Sequence, residues 1–238
     1  MNSVGIFGYG RFGKLLASLL ADEFSVKVYD PKQSIDDSRI ESVSKTALLK
    51  EKDIFIAVPI NHFESLISSI ATQLLPGTTI IDTCSVKIYP VRIMEKYLPK
   101  TVDIIATHPL FGPDSITSSE QLNFMIHAVR DNNSHYQQWK EYFTKKGFQL
   151  VEMSPDEHDR QAAESQGVVH FITRCLKSAE LHPTRIDTFG FKQLLKLIEN
   201  NCHDSWELFS DLQNYNPYSK PMIEKLEQAL KKTKSILD

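Results

Sequence analysis

The sequence predicts an α/β chain, with a doubly wound parallel sheet over residues 1–152 and a smaller all-α domain over residues 153–238. Three observations carry this. Short apolar runs alternate with amphipathic stretches through the first two thirds of the chain, a pattern that implies strands joined by crossover helices. A glycine-rich turn separates the first run from the first helical stretch. Near Ser154 the alternation stops and only helical periodicity remains.

Val4-Gly5-Ile6-Phe7 is a strand leading into Gly8-Tyr9-Gly10-Arg11-Phe12-Gly13, after which Leu15, Leu16, Leu19 and Leu20 recur at helical spacing. Strand, glycine turn and helix form a phosphate cradle: Gly8 for the tight turn, Gly10 for backbone approach to a pyrophosphate, Gly13 for close packing of helix on strand. The helix N-terminus adds N–H donors and a positive dipole end. Ser25-Val26-Lys27-Val28-Tyr29 reads as a second strand ending at Asp30, close to the ~20-residue offset of the carboxylate that holds an adenosine ribose. This is the pattern of the Rossmann fold. A glycine turn and a surface aspartate in some other α/β protein is the competing reading, and the register of strand, turn, helix, strand and acid weighs against it.

The alternation continues through a strand over 53–58, in which Val58 is stopped by Pro59, and a helix over 61–75 closed by Pro76-Gly77. The stretch 82–113 comes next. There Thr-Thr-Ile-Ile-Asp runs out into Thr83, Cys84 and Ser85, and Thr-Val-Asp-Ile-Ile-Ala-Thr runs out into His108 and a loop braced by Pro109 and Pro113. Ligands of open parallel sheets bind beyond the carboxyl ends of the strands, so Ser85 and His108 are expected to face one pocket. A hydroxyl beside an imidazole is equipment for moving a proton. On these residues alone a second reading stays open, in which Ser85 caps the next helix and His108 is an ordinary loop histidine. A strand over 124–129, a helix over 135–146 and a strand over 148–151 complete the domain. His127 alternates with apolar neighbours and reads as a packed histidine rather than a ligand.

The composition bounds the function. A chain of 238 residues with 41% hydrophobic and 24% charged residues is globular. Its formal charge of -3 offers no basic footprint for nucleic acid or an anionic membrane surface. Cys84, Cys175 and Cys202 are widely spaced with no CxxC pair, so neither a disulfide framework nor a metal site is expected, and the usage fits a reducing cytoplasm. Met1 enters a strand within a few residues, which leaves no space for a signal or transit peptide. No apolar run is long enough to span a bilayer.

Ser154-Pro155-Asp156-Glu157 is a helix start, with a serine cap, proline at the first helical position and a glutamate three residues after the cap. A helix is expected from there to about residue 181, with Val168, Phe171, Ile172, Cys175 and Ala179 as its apolar stripe. Gln166 and His170 sit four apart on one face. Segments 189–200, 203–212 and 217–237 also read as helices. So small an all-α module has a thin core, and a homodimer that packs it on a second copy is expected.

With these residues in hand the chain resembles the prephenate/arogenate dehydrogenase family, and most closely its short plant-type arogenate branch. The similarity covers nearly the whole chain. Its segments are the glycine turn, Ser85-Val86-Lys87, Thr107-His108-Pro109-Leu110-Phe111-Gly112-Pro113-Asp114-Ser115, Glu157-His158-Asp159-Arg160 through Gln166, and Asp204-Ser205-Trp206 through Pro217. The glycine turn is common to many dehydrogenases; the His-Pro-Leu-Phe-Gly-Pro and Glu-His-Asp-Arg segments are far more specific. The resemblance implies oxidative decarboxylation of a cyclohexadienol. Hydride leaves C4 for the nicotinamide of NAD or NADP, a base takes the 4-hydroxyl proton, and carbon dioxide leaves as the ring becomes aromatic.

The resemblance further implies that His108 is the base and that Ser85 hydrogen-bonds the 4-hydroxyl and the histidine. An imidazole of unperturbed pKa ~6.5 suits that role. The cofactor-binding residues so implied are Gly8, Tyr9, Gly10, Arg11, Phe12, Gly13, Asp30, Val58 and Pro59, and the substrate-binding residues are Gln166, His170, Asp204 and Trp206. Asp30 favours NAD, since it repels a 2′-phosphate, although many plant-type members use NADP and lack this acid. Asp204 is the candidate for the ammonium of arogenate, with a helix cap as its alternative role. Many microbial members clamp a substrate carboxylate with an arginine where this chain has Leu197, so Lys192, Lys196 and Arg160 are left as candidate cations. Two other readings set the limits: a β-hydroxyacid-type dehydrogenase, whose catalytic lysine would fall to Lys177, and a non-catalytic dinucleotide-binding redox sensor.

Overall fold

The computed structural model describes residues 2–113, 121–203 and 205–237. They fall into two compact units, Met1–Pro155 and Asp156–Asp238.

The first unit is built from β1 (Ser3–Phe7), α1 (Arg11–Leu20), β2 (Ser25–Tyr29), β3 (Ile40–Ser42), α2 (Lys45–Leu48), β4 (Asp53–Ile56), α3 (Ile60–Ile70), β5 (Thr79–Asp82), α4 (Ile88–Tyr97), β6 (Asp103–Pro109), β7 (Asn123–Arg130), α5 (His135–Lys145) and β8 (Gln149–Glu152). The strands form one sheet in the order β3-β2-β1-β4-β5-β6-β7-β8. Its first six positions match the doubly wound dinucleotide-binding order, with the topological switch between β1 and β4. The sheet is covered by apolar faces of its helices. Leu16, Ala17 and Leu20 of α1 pack over Ile6 and Val28, and Trp139 and Phe143 of α5 over Phe55 and Phe124. The rings of Phe124 and Phe143 stack at 4.1 Å.

The sheet is parallel except at one pairing, where β7 runs antiparallel to β6. The residues joining them, 110–122, carry no apolar helical stripe in the sequence, and antiparallel neighbours, unlike parallel ones, need no helical crossover between them. That pairing also lengthens β6. Parallel pairing with β5 ends at Asp82↔Ala106, but β7 keeps pairing through His108↔Met125 and Pro109↔Phe124. His108 is therefore a strand residue, not the loop residue expected. In the opposite sense β4 stops at Ile56, short of Val58, because the chain turns out at Pro59, which stands at the cap of α3.

At the amino ends of the strands, polar groups are tied to each other. The Nδ1 of buried His135 lies 2.6 Å from the Thr79 hydroxyl and 2.9 Å from the Asp53 carboxylate. Asp103 accepts bonds from the backbone and side-chain amides of Asn132 and Asn133.

The second unit consists of α6 (Pro155–Ala162), a π-helical segment (Ala163–Gly167), α7 (Val168–Ser178), α8 (Phe189–Asn201), α9 (Trp206–Tyr215) and α10 (Ser219–Lys234). Where one continuous α-helix was expected, the π segment interrupts it. Helix α9 also begins later than expected. Its cap is Ser205, whose hydroxyl accepts from Leu208 N–H at 3.1 Å. The capping role considered for Asp204 thus belongs to its neighbour; Asp204 itself lies outside the described residues. The apolar core is small: α8 buries no residue, and the side chains buried on α7, α9 and α10 are Thr173, Arg174, Asp211 and Ser219.

Candidate active site

Because β1, β2, β4, β5 and β6 are mutually parallel, the segments leaving their carboxyl ends all emerge at one edge of the sheet. Along that edge stand Asp30 after β2, the glycine turn after β1, Val58 and Pro59 after β4, and Ser85 after β5. His108 comes next, near the end of β6. From β2 to β6 there are four strand spacings, roughly 19 Å. An elongated ligand laid along this edge would meet the Asp30 carboxylate first and the Ser85 hydroxyl and His108 imidazole last.

The turn after β1 is shaped for a dinucleotide. Gly8 has φ +99°, and a Cβ there would stand 2.3 Å from the Ala57 carbonyl oxygen. A Cβ on Gly13 would stand 2.3 Å from the Gly8 oxygen, so α1 sits directly on the turn. At Gly10, which caps α1 without a side-chain bond, a Cβ would meet nothing within 4 Å. That open side, at the positive end of a helix, is where phosphate oxygens fit. Tyr9 is buried beneath the turn, with its hydroxyl 3.4 Å from Asp36; burial and then the Asp36 charge push its pKa up. Arg11 is exposed, Phe12 and Val58 half-buried and Pro59 exposed on the same rim.

Asp30 is already engaged by the backbone. Its Oδ2 accepts from Tyr9 N–H at 2.7 Å, and its Oδ1 from Lys32 and Gln33 N–H at 2.7 and 2.9 Å. Partial burial works to raise its pKa, but these three donors and the Lys32 charge outweigh it and hold the carboxyl below its ordinary value. A carboxylate has about four acceptor positions, so one is left, on Oδ2. Asp30 thus shapes the turn through three backbone donors and keeps one acceptor position on Oδ2.

Ser85 is half-buried and His108 only 4% exposed. Helix α4 starts at Ile88 with Lys87 at the cap position, so Ser85 is not a helix cap and that alternative falls away. Between them lies a group that sequence reasoning missed. Asp82 and Lys87 are both 0% exposed and form an ion pair. Lys87 Nζ also donates to the Thr107 carbonyl. Asp82 accepts from Cys84 N–H at 3.0 Å and from Thr107 N–H at 3.3 Å, while the Thr107 hydroxyl donates to the Asp82 carbonyl at 2.6 Å. Burial pushes the Asp82 carboxyl up, and Lys87 pulls against it. Burial, and then the Asp82 charge, push the pKa of the buried Cys84 thiol up, which disfavours its thiolate form. His127 is half-buried in β7, its pKa lowered by burial, in keeping with a packed side chain.

Gln166, His170 and Trp206 belong to the second unit. Gln166 lies in the π segment and His170 in α7. Arg174, one turn after His170, is buried and holds its guanidinium 4.7 Å from the centre of the Trp206 ring and 5.6 Å from that of Phe209. Sequence reasoning named Lys192, Lys196 and Arg160 as candidate cations; all three lie nearer the surface, and the buried cation of this unit was overlooked. Its only sequence signal is the spacing from His170. Lys177 donates to the Cys202 carbonyl at 3.3 Å, a structural use that disfavours a catalytic lysine there. Among the described residues no group of His, Cys, Asp and Glu is arranged to hold a metal, and no helix is long and apolar enough to cross a membrane.

The chain is similar to known proteins in both sequence and fold. Residues 26–129 match the family model described as "Prephenate dehydrogenase, nucleotide-binding domain" and residues 175–238 match "TYRAAT1-like, C-terminal domain". Arogenate dehydrogenase 1, chloroplastic, of Arabidopsis thaliana is 32% identical over 98% of this chain, which spans 39% of that protein's length. Arogenate dehydrogenase 2, chloroplastic, of the same plant is 32% identical over 98% of this chain and 69% of its own. A crystal structure of prephenate dehydrogenase from A. aeolicus in complex with hydroxyphenyl propionate and NAD+ superposes with a TM-score of 0.77 at 19% identity, covering 100% of this chain and 91% of that one. The structural likeness establishes the fold. Taken with the sequence identity, which extends through both units, it places the chain in the prephenate/arogenate dehydrogenase family.

Proposed function

We propose that the chain catalyses the NAD-dependent oxidative decarboxylation of arogenate to tyrosine, and of prephenate to 4-hydroxyphenylpyruvate less efficiently. The observation that carries this is the order of groups along one sheet edge, from Asp30 through the glycine turn to Ser85 and His108. The first unit is the dinucleotide-binding domain and the second the substrate and dimerisation domain. Bound oxidised nicotinamide supplies the hydride acceptor. His108 takes the proton of the substrate's 4-hydroxyl on an imidazole nitrogen, and Ser85 holds that hydroxyl in line. In the second unit, Gln166, His170 and Trp206 are assigned to substrate binding.

Asp30 sets the cofactor, because a carboxylate beside the ribose repels a 2′-phosphate. Asp204 sets the substrate: a carboxylate facing the ammonium of arogenate makes a charge-assisted bond of ~1.5–3 kcal/mol, roughly ten- to a hundredfold in selectivity. With Ser205 as the cap of α9, Asp204→Asn is a clean probe of charge. Near-ultraviolet absorbance of reduced nicotinamide, monitored with NAD or NADP against both substrates, tests the whole reading. The highest kcat/KM is expected for arogenate with NAD, moving toward prephenate in Asp204→Asn. No turnover with either substrate would overturn the function; an unchanged ratio in the variant would remove Asp204 alone.

The second unit pairs with a second copy of itself. Ten of the twelve exposed large hydrophobic side chains among the described residues lie in it, including Phe189 at 79% and Trp206 at 62% exposed. Sedimentation at micromolar concentration should give twice the chain mass of 27.2 kDa; a monomer would refute the pairing. A reducing compartment, the cytoplasm in the reading from sequence, suits three cysteines that are all free thiols.

A further inference from the structure

We propose that the buried Asp82–Lys87 pair is a positioning device, which fixes the Ser85 loop to the strand that carries His108 so that hydroxyl and imidazole meet the substrate together. The inference rests on the proposed roles of Ser85 and His108. Its ground is where backbone pairing stops. The β5–β6 ladder ends at Asp82↔Ala106, one residue before Thr107 and two before His108. There β5 leaves the sheet, and from that point side chains take over the joining. Thr107 N–H and hydroxyl both donate to Asp82, one to its carboxylate and one to its carbonyl. Lys87, from the far side of the Ser85 loop, donates to the Thr107 carbonyl and to Asp82. The residue that precedes His108 is thus tied to the residues on both sides of Ser85. The same carboxylate accepts Cys84 N–H, and the Thr83 hydroxyl donates to the Ile56 carbonyl at 3.0 Å, which anchors the start of the loop on β4 as well.

Two buried charges are a poor way to gain stability, since well-packed apolar groups serve as well or better. What an ion pair adds is direction: Nζ and the carboxylate reach their partners only with the loop in one place. Neither side chain is exposed, so neither is assigned a contact with substrate.

The test is steady-state kinetics on Lys87→Met, Ser85→Ala and the combined variant. Lys87→Met is expected to lower kcat ten- to a hundredfold with KM for NAD within about twofold of wild type. The combined variant is expected to be no more than about twofold worse than Ser85→Ala, because the pair acts through Ser85. Should Lys87→Met not fold, Asp82→Asn with Lys87→Met leaves no charge buried alone and carries the same comparison. Wild-type kcat in the folded pair variant, or losses that multiply with Ser85→Ala, would overturn the proposal while leaving the roles of Ser85 and His108 intact. Wild-type kcat in Ser85→Ala would overturn both.

Discussion

His108→Ala should lower kcat by ~10²–10⁴, the usual worth of a general base, while the affinity for NAD stays within a small factor of wild type. Both halves of that expectation come from position. His108 stands at the carboxyl end of β6, beyond Ser85 and at the far end of the edge from Asp30 and the glycine turn. Removing its ring therefore leaves the dinucleotide cradle intact. The side chain is buried and the residue stands opposite Met125 in the β6–β7 ladder, so a melting curve must accompany the kinetics. A folded variant with near wild-type turnover would make His108 a structural histidine. Ser85→Ala should cost less, because a hydroxyl that aligns the reacting group is partly replaced by water.

The glycine turn offers a contrast of equal size. Gly8→Ala must place a side chain at φ +99° and 2.3 Å from the Ala57 oxygen, and Gly13→Ala drives a methyl to 2.3 Å from the Gly8 oxygen. Both obstacles are backbone, which cannot swing aside. A left-handed strain of order 1–3 kcal/mol and an overpacking cost of similar size add in Gly8→Ala to roughly 2–6 kcal/mol, a large part of a typical domain stability. Its thermal midpoint should fall by roughly 4–24 °C, with loss of dinucleotide binding. Gly10→Ala should behave otherwise. Its methyl points into open space, so the free protein should melt as the wild type does, while the upward shift that NAD gives by binding the folded state is lost. If Gly10→Ala kept the full NAD shift, the pyrophosphate would not lie against this turn.

Local chemistry is what made much of this legible from sequence. The strand, glycine turn, helix and acid over residues 4–30 are a local pattern, and Ser85 and His108 could be picked out because each comes after an apolar run. What escaped notice is tertiary. Lys87 in isolation reads as a polar residue at a helix start, and only the fold reveals it with no exposed surface, between Asp82 and Thr107. Arg174 reads as the polar side of a helix and is instead stacked against Trp206. The direction of β7 is a matter of which neighbour it pairs with, which apolar periodicity within one strand does not register. The short β3 and α2 were missed because three- and four-residue elements are shorter than the window in which a period can be seen.

The π segment Ala163–Gly167 bears on how this helix can change over time. A π turn is the trace left in an α-helix by one additional residue. Each residue of an α-helix advances the side-chain direction by about 100°, so loss of that residue would rotate everything after it by that amount while leaving α6 as it is. His170 and Arg174 would then face another quarter, with no change in their own identity. A single codon gained or lost between Ala162 and Val168 is thus a larger step in where this helix points its side chains than most substitutions, and one that the amino-acid types around it would not betray.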